Sequence, residues 1–229
     1  VYDVLAEPKN DYIDDAPDPD KVIVKDDDTT ATKDSADVGD TVTFSIHSTV
    51  PDVAGELEKF EFIDTMSKGL TYTNPQTVTV EVGTTDAEGN VTYSPALADL
   101  YTAPVVATDA NGITTISITF DPTKLQTKSE DGVYSRVYTD VKVTYTAVVN
   151  ENAIVGLNGN TNDFKVDYSN SPDVVDEVAP TVYVDTYGFH IQKNDEDGTA
   201  LAGAEFKLYE TKDATDAMNV YTEVDEDGK

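Results

Sequence analysis

The stretch Phe60-Glu61-Phe62-Ile63-Asp64-Thr65-Met66-Ser67-Lys68-Gly69-Leu70-Thr71-Tyr72 constrains this chain more than any other. Aromatic and β-branched residues flank a Ser-Lys-Gly turn, so its outer parts read as β-strand. Asp64 stands inside the apolar run. A carboxylate buried there without a partner is costly, so it must have one, or a pKa raised far enough to keep it neutral. The candidate partners are Lys21 and Asn162, one near each end of the same domain.

The chain has 229 residues, enough for one large domain or two of ordinary size. Thirteen Tyr, with many Val and Thr, tilt the balance towards β-structure. Acidic residues number 45 against 15 basic, a formal net charge of −30. Such a surface repels nucleic acid and anionic lipid, which excludes both as primary partners. There is no Cys, so a chain of this kind outside the cell must find its stability somewhere other than disulfides. No run approaches the roughly 18 apolar residues of a membrane span. The start, Val1-Tyr2-Asp3-Val4-Leu5, lacks the basic region and long apolar core of a signal peptide. Both ends read as interruptions of a longer chain.

Along the chain, a short strand and Pro8-Lys9-Asn10 lead into an acidic linker from Asp11 to Asp20, extended by Pro17 and Pro19. Strands are expected at Lys21–Lys25, Thr41–His47, about Thr77–Val82, Thr114–Phe120, Asp140–Val149 and Asp163–Tyr168. Polar turns such as Asp86–Asn90 and Asp109–Gly112 separate them. Only Ala96–Tyr101 and Pro122–Leu125 suggest a helical turn. Many short strands with few helices predict an all-β chain built on an antiparallel β-sandwich. The expected organisation is a linker over 1–19, a sandwich over 20–185, and the opening strands of a second sandwich over 186–229. In that last part, strands are expected at Phe189–Lys193, Ala204–Tyr209 and Val220–Val224.

Nothing here supports a conventional enzyme. The two His, His47 and His190, fall in separate predicted domains, and no phosphate loop or zinc-ligand spacing occurs. The clusters Asp26-Asp27-Asp28 and Asp195-Glu196-Asp197-Gly198 lack the alternating ligands and late Glu of a calcium loop, and turn chemistry accounts for them. A carbohydrate-active enzyme with paired carboxylates would need an aromatic-lined cleft that the sequence does not offer. The expectation is therefore no metal and no cofactor.

Four stretches of the chain resemble the sortase-assembled major (backbone) pilins of Gram-positive bacteria. They are Val4-Leu5-Ala6-Glu7-Pro8-Lys9-Asn10, Val38 to Ile46 with Val50-Pro51-Asp52, Phe62 to Tyr72, and Asn160-Thr161-Asn162 leading to Tyr168-Ser169-Asn170-Ser171-Pro172. The first is similar to a pilin motif ending in Tyr-Pro-Lys-Asn, with Glu7 in place of the Tyr. The remainder resembles the isopeptide-forming, Ig-like (Cna A-type) domain of such pilins. Lys193 and Leu201-Ala202-Gly203-Ala204-Glu205-Phe206-Lys207-Leu208-Tyr209 look like the opening of a Cna B-type domain.

The resemblance implies a shaft subunit of an extracellular, cell wall-anchored pilus. In it a pilus sortase would join identical subunits through Lys9, and a host matrix or cell-surface ligand is a further implied partner. It also implies an intramolecular bond between Lys21 and Asn162 with Asp64 as the autocatalytic acid, and Lys193 as the amine of a second bond whose acid and Asn lie past Lys229. Glu205 is read as part of the packing of its strand. The physics agrees, because burial lowers the pKa of a Lys and raises that of an Asp, and holding the groups together supplies a large effective concentration. Lys25 is the alternative amine and Asn170 the alternative amide. Lys21 is preferred because it opens its strand, whereas Lys25 runs into three Asp; Asn162 precedes the last strand, and if that strand runs parallel and adjacent to the first, the two side chains sit at the same level. The rival reading is an unpolymerised, wall-anchored adhesin of stacked Cna-like domains.

Overall fold

The structure, a computed structural model, describes residues 13–53, 55–73, 78–169, 175–188, 191–201, 203, 205–209 and 211–218. The pilin-motif stretch with Lys9, the alternative amide Asn170, the strand near 220–224 and His190 lie outside them. The chain divides into two compact units, Val1–Thr186 and Tyr187–Lys229.

The first unit opens with β1 (Ile13–Asp15), β2 (Pro19–Val24), β3 (Thr30–Ala31), β4 (Lys33–Ser35), β5 (Thr41–Thr49) and β6 (Asp52–Val53). It continues through β7 (Lys59–Met66), β8 (Leu70–Tyr72), β9 (Thr79–Thr85), β10 (Val91–Pro95), β11 (Val105–Thr108) and β12 (Thr114–Thr119). After α1 (Pro122–Leu125) come β13 (Gln126–Lys128), β14 (Tyr134–Arg136), β15 (Asp140–Val149), β16 (Gly156–Ser169), β17 (Val175–Val178) and β18 (Val182–Thr186).

Two seven-stranded sheets carry the architecture. One runs β10-β9-β15-β5-β2-β3 with β8 also on β15, and the other β11-β12-β7-β16-β18-β4 with β17 also on β16. Among the described strands, pairing is antiparallel except between β18 and β4. Strict alternation sends Val42, Phe44 and Ile46 of β5 inward, together with Phe60, Phe62 and Met66 of β7. Phe62 contacts Phe60, Phe120 and Phe164 edge-on at 4.9–5.4 Å. Both inner faces feed one apolar core, the arrangement of a β-sandwich.

The Ser67-Lys68-Gly69 turn does more than fold a hairpin. β7 belongs to one sheet, whereas β8 pairs with β15 in the other, so the chain crosses the sandwich at this turn. Elsewhere the turns share one chemistry. Asp86, Asp109 and Asp195 each accept, through Oδ1, the N–H groups two and four residues on, and each turn has a glycine at its fourth position with φ of +82° to +89°. Those backbone and side-chain donors hold Asp86 and Asp109 below the ordinary carboxylate range. These three Asp are thus part of the turn structure.

Three expectations need correction. Ala96–Tyr101 is a turn closed by Leu100 N–H on Leu97 O, and the helical turn is the other candidate, Pro122–Leu125, capped by Asp121. The strands of Lys21 and Asn162 are neither parallel neighbours nor the two ends of the domain. β2 lies in one sheet and β16 in the other, and β17 and β18 follow β16. Asn162 also sits within its strand, because β16 begins at Gly156. In the second unit, the described residues at 191–193 and 205–209 form no strand. The Asn194–Ala200 bridge with its Asp195 turn, and single backbone hydrogen bonds such as Met218 N–H on Leu208 O, stand in place of a ladder, and Phe206 stays 52% exposed. Among the described residues these segments have no neighbouring strand against which to bury an apolar face.

The crossing turn is closely packed. A Cβ on Gly69 would strike Asn160 Oδ1 and stand 2.7 Å from Ala153 Cα. Gly69→Ala should cost about 1–3 kcal/mol in urea unfolding. A variant with an unchanged midpoint would show that the crossing is looser than described.

Candidate functional site

The alternation that builds the core also places three polar side chains inside it. Asp64 takes the inward position of β7 between Phe62 and Met66, and it lies opposite Ile116 on one side and Phe164 on the other. Asn162 faces inward from β16, one step from Phe164. Lys21 faces inward from β2 beside Ile23, from the other sheet. Lys21 and Asn162 are 0% exposed and Asp64 is 1% exposed. The two sheets bring the three together at their interface.

A fourth residue joins them. Tyr145 on β15 points inward, stacked on Phe44 at 5.5 Å. Its O–H donates to Asp64 Oδ1 at 2.7 Å, and its oxygen accepts from Lys21 Nζ at 3.0 Å and from Asn162 Nδ2 at 2.8 Å. Lys21 Nζ also contacts Asp64 Oδ2 directly. Asn162 Oδ1 is buried with no hydrogen-bond partner among the described residues. Sequence reading missed Tyr145. Its place in an alternating inward row, where a buried phenol must find a partner, was the available signal.

Burial sets the electrostatics. It lowers the Lys21 pKa from the ordinary ammonium value, against the pull of Asp64. It likewise raises the Asp64 carboxyl, against the Lys21 charge and the hydrogen bonds from Lys21 and Tyr145. Burial, and then the neighbouring Asp64, push the Tyr145 phenol well above its usual range. An amine with its lone pair free, an acid carrying a proton and a carboxamide are the ingredients of amide exchange.

The alternatives lie elsewhere. Lys25 is at the surface, its Nζ 3.2 Å from Asp34 Oδ1. Lys193 and Glu205 are exposed. A second group of the same three types stands at the start of β16, where Lys33 Nζ is 3.0 Å from Asp185 Oδ2 and 2.8 Å from Asn158 Oδ1. The Lys33 side chain is 41% exposed, against 0% for Lys21. Water reaches it, and the desolvation that prepares Lys21 is missing.

The family model described as "Gram-positive pilin backbone subunit 2, Cna-B-like domain" matches residues 38–172. This chain belongs to the Gram-positive pilin backbone family. The match falls on the large unit and includes Asp64, Tyr145 and Asn162; the sandwich of that unit carried the A-type label in the sequence reading. No curated protein sequence matches the chain. Among solved structures, the chain is similar to the 35 kDa C-terminal fragment of the major pilin GBS80 of Streptococcus agalactiae. That match has 23% identity and a TM-score of 0.57, and covers 84% of this chain and 64% of that one. It is also similar to BcpA, the major pilin subunit of Bacillus cereus, at 17% identity and a TM-score of 0.50, over 74% of this chain and 40% of that one. At these identities the likeness is one of fold, and this pilin-backbone chain spans less than two thirds of either structure.

The buried acid makes a pH prediction. Since the folded state holds the Asp64 proton above the ordinary value of 3.8, the unfolded chain binds fewer protons there, and stability falls as pH rises from that value to the raised pKa. In Lys21→Met, which removes the compensating charge, the loss should approach about 1.4 kcal/mol per pH unit. The Lys21→Met/Asp64→Asn pair should lack that slope. Equal pH profiles in denaturant titrations would show that Asp64 is not held protonated.

Proposed function

We propose that this chain is part of a shaft subunit of an extracellular Gram-positive pilus, and that its large unit closes an isopeptide bond between Lys21 and Asn162 with Asp64 as the acid. The observation that carries the reading is the fully buried amine of Lys21, against Asp64 and linked through Tyr145 to the carboxamide of Asn162, in a chain of the pilin backbone family. In the reaction, Lys21 Nζ attacks Asn162 Cγ, the Cγ–Nδ2 bond breaks, and one ammonia leaves. Asp64 takes the proton shed by the amine as its own proton is passed on to the leaving nitrogen. Because the two residues sit on opposite sheets, the bond would clamp the sandwich across its core.

Polymerisation is the second part of the proposal. Lys9, between Pro8 and Asn10, would attack the acyl-enzyme that a pilus sortase forms with a neighbouring subunit, and the resemblance of that stretch to the pilin motif supports the reading. Lys193, in the smaller unit, would be the amine of a second bond. Cell-wall anchoring and contact with a host ligand follow from the same reading.

The bond is tested by intact mass and a tryptic map. The protein should be lighter than its sequence by one ammonia and yield a cross-linked peptide containing Lys21 and Asn162, while Lys33 remains unlinked. Asn162→Ala should restore the sequence mass and lower the melting temperature, since a cross-link closing so long a loop is worth roughly 4 kcal/mol. A full-mass wild-type protein, or a cross-link through Lys25 or Asn170, would sink the assignment. Polymerisation is tested in cells: Lys9→Ala should abolish high-molecular-weight ladders while leaving the subunit's ammonia loss unchanged. Ladders of normal length in that variant would favour the adhesin reading.

A further inference from the structure

We propose that Tyr145 is a catalytic residue of the Lys21–Asn162 condensation, relaying a proton from Asp64 to the departing carboxamide nitrogen. This inference rests on the isopeptide reading above and adds a named path for the second proton transfer.

The condensation needs two proton movements at different places. The attacking amine must lose a proton, and the leaving nitrogen must gain one, because an amide nitrogen departs as ammonia. Asp64 contacts the amine through Oδ2, and no hydrogen bond joins it to Asn162 Nδ2 among the described residues. The Tyr145 hydroxyl spans that gap, 2.7 Å from Asp64 Oδ1 and 2.8 Å from Asn162 Nδ2. It is the hydrogen-bond partner of that nitrogen among the described residues. The two carboxyl oxygens therefore address the two ends of the reaction.

The sequence of transfers balances. With Asp64 neutral and its proton on Oδ1, that O–H donates to the Tyr145 oxygen, and the phenol turns its own hydrogen towards Nδ2. While the amide is planar, the Nδ2 lone pair is delocalised. Once Lys21 Nζ has bonded to Cγ, the carbon is tetrahedral and the lone pair becomes a base. The Nζ proton passes to Oδ2, the Oδ1 proton to Tyr145, and the phenolic proton to Nδ2. The Cγ–Nδ2 bond then breaks, leaving a secondary amide, ammonia, a phenol and a carboxylic acid. Asp64 ends protonated on the other oxygen. Because burial and Asp64 disfavour the phenolate, Tyr145 hands on a proton only as it receives one. Phe44, stacked at 5.5 Å, holds the ring in place, and Tyr72 lies edge-on to it at 5.9 Å.

The test follows ammonia loss by intact mass in freshly synthesised wild-type protein, Tyr145→Phe and Tyr72→Phe. Tyr145→Phe keeps the ring and should fold, by circular dichroism, yet close the bond on the order of 100-fold more slowly or not at all. Tyr72→Phe, which alters a neighbouring ring outside the relay, should close at the wild-type rate. A Tyr145→Phe protein that closes at the wild-type rate overturns the relay and leaves the isopeptide reading intact. A wild-type protein that never loses ammonia overturns both. If Tyr145→Phe does not fold, a ring-fluorinated tyrosine at position 145 keeps shape and hydroxyl while changing acidity. A several-fold change in rate supports the relay, and an unchanged rate overturns it.

Discussion

A lysine amine held away from water is the constraint from which the rest of this sandwich follows. Burying Lys21 as an ammonium would cost several kcal/mol, and burying Asp64 as a carboxylate a similar amount. Placing the two in contact offsets part of that, and letting both become neutral removes most of it. The register of the sheets serves this arrangement. β2, β5 and β15 set Lys21 and Tyr145 on one inner face, with Phe44 between them, while β7 and β16 set Asp64 and Asn162 opposite. A one-residue slip in any of these strands would turn its polar member outwards and an ordinary surface residue inwards. Strand pairing and site geometry are therefore a single specification.

Dehydration, more than residue type, is what distinguishes the site. Lys33, Asp185 and Asn158 repeat the three side chains with ordinary distances, at an edge where solvent reaches the amine. What separates the groups is the apolar wall around Lys21: its amine lies 5.5 and 5.6 Å from the ring centres of Phe44 and Tyr145. Recognising such a site from composition or proximity alone would pick both.

How far the sequence could be read follows from what alternation encodes. Period two tells which residues share a face, so Asp64 between Phe62 and Met66, and Asn162 two positions from Phe164, could be singled out as polar groups among inward-facing residues. It does not tell which sheet a strand joins. Alternation leaves open whether β2 and β16 are neighbours; they stand on opposite sheets, because pairing is decided by contacts remote in sequence. The turn after Met66 was legible as a turn, but its passage between sheets was not. Tyr145 escaped notice because its ring satisfies the apolar pattern and only its oxygen does the polar work. In the second unit, strand-like composition at 205–209 is not matched by pairing among the described residues, where no neighbouring strand covers it.

The hairpin turns at Asp86–Asn90, Asp109–Ile113 and Ser129–Val133 all lie between Lys21 and Asn162 in the chain. They are exposed, and such turns are where proteases cut. In the joined form proposed above, the residues from Lys21 to Asn162 make a closed covalent ring. A single cut in any of those turns would open the ring without dividing the molecule, and the two new ends would remain tethered through the core. Damage of that kind adds one water to the mass and releases no fragment. For a protein with no disulfides and a heavily charged, turn-rich surface, closure turns chain breakage from a lethal event into a local one.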